Sequence, residues 1–383
     1  VEFKALDGNG KPFFWSGKIR PDGTVDPGAE FYRNVLIDKH GNVISRRNTF
    51  AARSVIYVHL IPPGAADIVH YRVQIPKNIK GPVTFVAKLN YRKFNRIYTK
   101  FAYAGVLHPG PHSLDYDDRP MTYDGSTADV SGGVKKIPNL PVVTISESRV
   151  TLPIGKITAA TATGSNNHTD TIRWNDYGIG LLLQGDLTGA EQAFQHVTQM
   201  EPGYADGWLN VGRVLIQEGE DRKALPWVEK ALSLDPAMGR GHYFRAQIEK
   251  VFGQYDQALN DLGETAKQYP RDRVVLDDIG HILFLKRQYR QSVSWLRRAV
   301  EIDPENVEAH YNLMLAYRGL GNDAEASREQ KLYLRFKADE SATAVAGPYL
   351  RTHPDDNNER QPIHEHTSIP LKEMFEARST PRR

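Results

Sequence analysis

Two groups of side chains have types and spacing that could do chemistry. Near the carboxy terminus His364 and His366 are one residue apart, which on an extended chain puts both imidazoles on one side. With His353, Asp355, Asp356 and Glu365 close by in sequence, they could gather a divalent metal ion. The competing reading is a polar arm that lies along a surface, its own or a partner's, and it is the one preferred at this level. Upstream, Asp115, Asp117 and Asp118, followed by Asp124 and Asp129, could offer oxygens to calcium. Their spacing lacks the Gly at the sixth place and the Glu at the twelfth that an EF-hand loop needs, so a solvated loop is expected. Neither group is assigned a metal, and no cofactor is expected.

The remaining composition argues against catalysis. The 383 residues contain no cysteine, which removes disulfides, thiol catalysis, thiolate zinc sites, iron–sulfur clusters and CxxCH haem attachment. No nucleophile sits inside a motif, no glycine loop cradles a phosphate, and there is no HExxH. His59 and His70 fall between apolar neighbours and read as satisfied or surface histidines. No apolar run approaches the ~18 to 20 residues of a membrane-spanning helix. The chain reads as non-enzymatic.

The elements that would position any site are clearest in the second half. From residue 171 the sequence repeats every 34 residues, in units 171–204, 205–238, 239–272, 273–306 and 307–340. The eighth position is Gly178, Gly212, Ala246, Gly280 and Met314; the fifteenth is Gly185, Gly219, Gly253, Arg287 and Gly321. The twentieth is Ala190, Ala224, Ala258, Ser292 and Ala326, and the thirty-second is Pro202, Pro236, Pro270 and Pro304. Small residues at eight and twenty let two helices approach, glycine at fifteen turns the chain, and proline at thirty-two ends the second helix. Apolar residues such as Phe194, Val228, Leu262 and Leu296 then fill the seam between helices. The pattern resembles the tetratricopeptide repeat, a helix–turn–helix unit that stacks into a solenoid. Ten helices are expected from five units.

That resemblance implies a concave protein-binding groove lined by positions two, five, nine, twelve and thirteen. Here those positions include Leu209, Arg213, Ile216, Arg240, Tyr243, Gln247, Lys250, Asp277, His281, Phe284, Tyr311 and Arg318. Aromatic and arginine side chains together suit an extended peptide. The first unit offers Ile172, Asn175, Ile179, Leu182 and Leu183 instead, an apolar start that invites cover from another segment, from the preceding domain or from a second subunit. The two-carboxylate clamp of chaperone-binding relatives needs a Lys where Asn175 stands, so that function is not carried over.

Residues 1–157 alternate with a period of two, as in "PVTFVAKLNY" and "IVHYRVQI", and "FYRNVLIDKHGNVISR" reads as a hairpin turning at Asp38–Asn42. Seven or more short strands suggest a β-sandwich, with an immunoglobulin-like topology as one form. Residues 103–140 form a long loop rich in Gly, Pro, Asp and Tyr, and 158–170 a small-residue linker. Residues 341–383, with five prolines, are expected to be an extended polar tail with one short helix near Leu371–Ala377. The fold class is thus multidomain: an all-β sandwich, an all-α solenoid and a tail.

Charge divides along the same lines. Residues 1–157 carry a net +9, 158–340 a net −6, and the tail none. A basic front and an acidic middle could attract each other within one chain or between copies. Nucleic-acid binding is not favoured, because the basic residues are scattered without a matching motif.

Several stretches, including "FYRNVLIDKHGNVISRRNTF", "IPPGAADIVHYRVQIP" and "NNERQPIHEH", resemble the carboxy-terminal part of bacterial proteins that join a multihaem cytochrome region to tetratricopeptide repeats. The resemblance implies an extracytoplasmic setting, periplasmic, cell-surface or secreted. Val1 in place of a methionine is consistent with a removed leader, or with an imposed chain boundary. A multihaem cytochrome is then a possible partner, although without CxxCH no haem attachment transfers to this chain.

Three functions follow as expectations. The first is a scaffold that binds proteins and self-assembles into a filament or casing, with Val1, Phe3 and Ala5 as a free strand that adds to a neighbour's sheet and the polar tail lying along a neighbour's solenoid. The second is a monomeric adaptor that takes a peptide in the groove. The third is a carbohydrate-binding β domain, using Trp15 and tyrosines, on a repeat stalk.

Overall fold

The computed structural model describes residues 1–44, 49–111, 119, 121–123, 137–155, 168–337 and 342–369. They fall into two compact units. One comprises Val1–Pro63, Val69–Thr163 and Glu340–Arg383; the other Gly64–Ile68 and Gly164–Asp339.

The front unit is built from short strands: β1 Glu2–Leu6, β2 Pro12–Ser16, β3 Asn34–Ile37, β4 Ser54–Val58, β5 His70–Tyr71 and β6 Val83–Tyr91. Helix α1 Arg96–Ala104 and strands β7 Gly105–Leu107, β8 Met121–Tyr123 and β9 Val143–Leu152 follow. Four strands form one antiparallel sheet in the order β2-β1-β6-β9, while β3 pairs with β4 and β7 with β8. Among the described residues the front unit thus holds one four-stranded sheet and further two-stranded pairings. The expected turn is at Asp38–Asn42: the Asp38 carboxylate accepts from the amides of His40 (2.8 Å) and Asn42 (2.9 Å).

The amino-terminal strand corrects an expectation. It is not free, because β1 is an interior strand, hydrogen-bonded to β2 on one edge and β6 on the other. Ala5 is fully buried, and Phe3 stacks on Tyr71 at 4.3 Å and on Phe85 at 5.9 Å. Burying these apolar side chains outweighs anything the strand would gain on a neighbour's sheet. By contrast β9 lies at the sheet's edge and is exposed along all ten residues.

The second unit holds ten helices among its described residues. They come in consecutive pairs: α2 His168–Gln184 with α3 Leu187–Met200, α4 Ala205–Gln217 with α5 Asp221–Leu234, and α6 Gly239–Val251 with α7 Tyr255–Gln268. Then come α8 Arg273–Leu285 with α9 Tyr289–Ile302, and α10 Val307–Gly319 with α11 Asp323–Phe336. No helix among the described residues is long and apolar enough to cross a membrane.

Packing explains the repeating columns. A methyl on Gly178 would sit 2.5 Å from the Phe194 ring, on Gly212 2.7 Å from Val228, and on Gly280 2.5 Å from Leu296. In these three units position eight of the first helix thus abuts position twenty-four of its partner, and Phe194, Val228, Leu262 and Leu296 are all completely buried. Ala190, Ala224, Ala258 and Ser292 at position twenty are equally buried, and the Ser292 hydroxyl donates to the Gly280 carbonyl at 2.7 Å. Residues 64–68 belong to this unit. Ile68 lies against Gly180 of α2, and Gln184 Nε2 donates to Asp67 Oδ1 (3.0 Å) and the Ile68 carbonyl (2.5 Å). Part of the first helix is therefore covered, as its apolar start suggested, while Leu183 stays 58% exposed.

The stretch expected to be extended after the repeats begins as two helices, α12 Ala342–Thr352 and α13 Pro354–Glu359, before strand β10 Glu365–His366. All three belong to the front unit. Tyr349 is buried with Val35, Ile37, Ile56 and Tyr57, which supplies the apolar surface that the sequence reading found missing. Asp356 accepts from Arg33 Nη2 (3.0 Å), Tyr57 OH (3.2 Å) and Tyr349 OH. Strand β10 pairs in parallel with β5, and the Ile369 amide donates to the Trp15 carbonyl at 3.0 Å on β2. Residues 371–377, where a short helix was expected, lie outside the described residues.

Two substitutions test the packing. Arg287 at position fifteen has φ +58°, the one positive value on a non-glycine among the described residues, where the other units have glycine. Arg287→Gly relieves a left-handed backbone and should stabilise by about 1 kcal/mol in denaturant unfolding. Gly280→Ala should destabilise by about 1–3 kcal/mol, since Leu296 has no free space to retreat into. A neutral Gly280→Ala would contradict the close helix approach.

Candidate functional site

The first helices of the pairs, α2, α4, α6, α8 and α10, carry the expected groove positions. Several are core rather than surface. Leu209 is 1% exposed, Asn175 and Leu182 are buried, and Asp277 is buried too. The others reach solvent to different degrees. Arg240 and Arg318 are exposed; Arg213, Ile216, Tyr243, Gln247, Lys250, His281 and Phe284 are half-buried; Tyr311 is 42% exposed.

Polar members of the groove are bound to neighbouring first helices. Arg213 stacks over Phe244, its guanidinium carbon 5.3 Å from the ring centre. Gln247 Nε2 donates to Asp278 Oδ2 at 2.8 Å, and Lys250 Nζ to Asp278 Oδ1 at 2.6 Å. His281 Nδ1 lies 3.2 Å from Asn312 Oδ1. Arg213, Gln247 and His281 thus join position nine of one unit to position six of the next, and Lys250 joins from position twelve. Asn210, at position six of the second unit, donates instead to Asn175 at 2.8 Å. Asn210, Phe244, Asp278 and Asn312 were therefore missed as groove-shaping residues. They recur at the repeat spacing, but their side chains differ too much to form a visible column. Arg240 is likewise held, by Asp206 at 2.6 Å, and Arg318 Nη2 donates to Gln330 Oε1 at 2.9 Å.

Several of the positions that stay open are apolar. Position thirteen is Leu183, Val251 and Leu285 in the first, third and fourth units, exposed by 58%, 61% and 42%. Phe284 lies beside Tyr289 with ring centres 5.7 Å apart, and Tyr311 beside Tyr333 at 5.3 Å.

Other expected sites fare differently. Asp115, Asp117, Asp118, Asp124 and Asp129 lie outside the described residues. Trp15 donates Nε1–H to Glu2 at 2.9 Å, and the Lys4 and Lys18 ammonium groups lie 4.1 and 5.1 Å from its ring, where a sugar would have to stack. The carboxy-terminal candidates disperse. His353 stacks on Tyr349 at 3.9 Å, Asp356 is held by Arg33 and two tyrosines, and Glu365 faces Arg72 at 2.6 Å. Only His364 and His366 converge, and they do so on the buried Glu30.

Asp277 gives the groove a titration of its own. Burial pushes its carboxyl up to about 6, with help from Glu308 and Asp278 and against the Asn306 hydrogen bond. Asn306 Nδ2 donates to Oδ2 at 2.6 Å, and Oδ1 has no hydrogen-bond partner. Its ordinary value of 3.8 is the unfolded chain's, so the folded chain holds this proton more tightly. The contribution is complete below pH ~4 and is lost as pH rises through about 6. Asp277→Asn should raise the melting temperature most above pH ~6 and least near pH ~4. A shift of equal size at every pH would count against a buried, charged Asp277.

Comparison with known proteins agrees with this geometry. The family description "Tetratricopeptide repeat" matches residues 181–248 and "TPR repeat" residues 280–321. BBSome complex member BBS4 of Bos taurus is 25% identical over 145 residues, 38% of this chain and 28% of that protein. Small glutamine-rich tetratricopeptide repeat-containing protein 2 of Mycosarcoma maydis is 30% identical over 106 residues, 26% of this chain and 30% of that protein. The chain thus spans under a third of these relatives' length. Among solved structures, MamA 41-end from Desulfovibrio magneticus RS-1 aligns with TM-score 0.41 at 19% identity, covering 46% of this chain and 100% of that one. YrrB, titled a TPR protein with an unusual peptide-binding site, aligns with TM-score 0.41 at 19% identity, covering 50% and 98%. The paired helices, the columns that join them and the matched segments identify the second unit as a run of tetratricopeptide repeats.

Proposed function

We propose that the chain is a non-enzymatic protein-binding scaffold whose first-helix groove grips an extended, partly apolar segment of another protein. The observation that carries this reading is the exposure of Leu183, Val251 and Leu285 at one repeat position, on a surface that also holds Tyr311. Exposed apolar side chains at the same repeat position in three of the five units fit a ligand that presents apolar residues along its length. Charge is a lesser part of recognition here. Arg240 and Lys250 already have carboxylate partners, and Arg213 has an aromatic one. The adaptor reading is therefore favoured over self-assembly through Val1, Phe3 and Ala5, whose strand is occupied within its own sheet. The resemblance to cytochrome-associated repeat proteins supplies one partner class, a multihaem cytochrome outside the cytoplasm, and it enters only as part of this proposal.

The full chain should select peptides from a displayed random library, enriched in apolar residues set apart by polar ones. Val251→Glu with Leu285→Glu should weaken the selected peptides at least tenfold while lowering the melting temperature by only a few degrees, because Val251 is 61% exposed and Leu285 42%. Equal affinity in the double variant, or no selection at all, would sink the groove as the binding surface.

A further inference from the structure

The front unit buries a group of side chains that the protein-binding function does not use. Glu30 lies just before β3, His59 just after β4, Glu359 ends α13, and His364 and His366 follow in the carboxy-terminal segment. Side-chain exposure is 1% for Glu30 and Glu359, 0% for His366 and 6% for His364. Glu30 Oε2 lies 2.8 Å from His366 Nε2 and 3.2 Å from His364 Nε2, and Glu30 Oε1 lies 3.0 Å from His59 Nδ1. Glu359 lies beside the group, its Oε1 3.7 Å from His366 Nδ1 and its Oε2 3.9 Å from His59 Nδ1. One ligand atom from each of Glu30, Glu359, His364 and His366 falls within 4.8 Å of all the others.

The Val1 ammonium donates to the Glu30 carbonyl at 2.7 Å, and two further features of this group suit a metal cation. The first is the histidine tautomer. His364 Nδ1 faces the Gln361 carbonyl at 2.7 Å, and His366 Nδ1 faces the Gly28 carbonyl at 3.0 Å. A carbonyl only accepts, so each Nδ1 carries its hydrogen. In the neutral rings both Nε2 lone pairs then point at the same carboxylate oxygen. That is how metal-binding histidines are held from behind. The second feature is Glu359. Its two carboxylate oxygens are buried and neither has a hydrogen-bond partner. A desolvated carboxylate left that way costs several kcal/mol.

We propose that Glu30, Glu359, His364 and His366, with His59 at the margin, bind a divalent first-row metal ion. Two carboxylates balance its charge and leave the buried group neutral with the imidazoles uncharged. Donor atoms bound at about 2.0–2.2 Å to one ion lie roughly 3 Å apart, and the Glu30–histidine spacings already match that. Imidazole nitrogens without thiolates favour zinc, iron, nickel or copper over calcium and magnesium. The burial marks the ion as structural. It fastens the segment after α13 to residues near β3 and β4, closing a loop of some three hundred residues. The preceding reading does not depend on it, because all five residues lie in the front unit.

Purified full chain, stripped with a chelator and dialysed, should bind a single Zn²⁺ by calorimetry. Its melting temperature should rise with Zn²⁺ and fall again with chelator. Glu359→Gln should weaken Zn²⁺ by more than about 100-fold, beyond the 10- to 100-fold range of outer-shell changes. Its metal-free form should melt no lower than the metal-free parent, since the amide no longer buries a bare charge. His353→Gln, outside the group, should bind Zn²⁺ as the parent does. If the parent takes up neither Zn²⁺ nor Co²⁺ and instead gains stability only on acidification, the group is a proton-charged network and the proposal fails. Retention of Zn²⁺ affinity in Glu359→Gln also overturns it. Should Glu359→Gln not fold, the parent's metal response decides alone.

Discussion

The close approach of the two helices within each repeat is the constraint on which the second unit depends. Gly178, Gly212 and Gly280 leave no room for even a methyl, because a fully buried side chain occupies that space. The bulky residue at position twenty-four and the small one at position eight are thus one device, and a change to either must be answered by the other. Serine at position twenty shows the same economy. Its hydroxyl goes to the carbonyl of Gly280, so a polar group enters the seam with its hydrogen bond satisfied.

With the helices fixed so closely, their outward faces come into a regular relation. Position nine of one unit reaches position six of the next, through a cation–π contact, a charge-assisted pair and a histidine–amide contact in turn. The interior of the groove is therefore largely committed to holding itself together. The exposed apolar side chains lie at position thirteen and at Tyr311.

Legibility in the sequence followed the range of the interactions. The repeat boundaries, the turn residues and the seam were readable because every unit solves the same local problem five times. Asn210, Phe244, Asp278 and Asn312 were not, because the same place is filled by an amide, a ring or a carboxylate according to its neighbour. The front unit was readable only as strands. Alternation reveals a strand but not its place in a sheet, and so β1 looked free when it is interior. His364 and His366 were noticed as a pair, yet the residues they meet, Glu30 and Glu359, include one more than three hundred positions away. The candidates next to them in sequence turned elsewhere, His353 to a tyrosine ring and Glu365 to an arginine. Tyr349 explains why the tail was misread. Its apolar partners on β3 and β4 are remote in sequence, so local composition suggested there was nothing to pack against.

The two edges of the four-stranded sheet are treated differently. Strand β2 carries Ser368 and Ile369 along its outer side, while β9 has no strand on its far side among the described residues. Along β9 the exposed Val143 and Ile145 stand toward one end, and Val150 and Leu152 stand as far from the other. A second copy of the strand laid alongside in the reverse direction would set its apolar ends against these, with the bulge at Ile145 shifting the register near one end. Such a self-match uses the available margin up. Association by this route would close at a symmetric pair of molecules and could not propagate into a fibre.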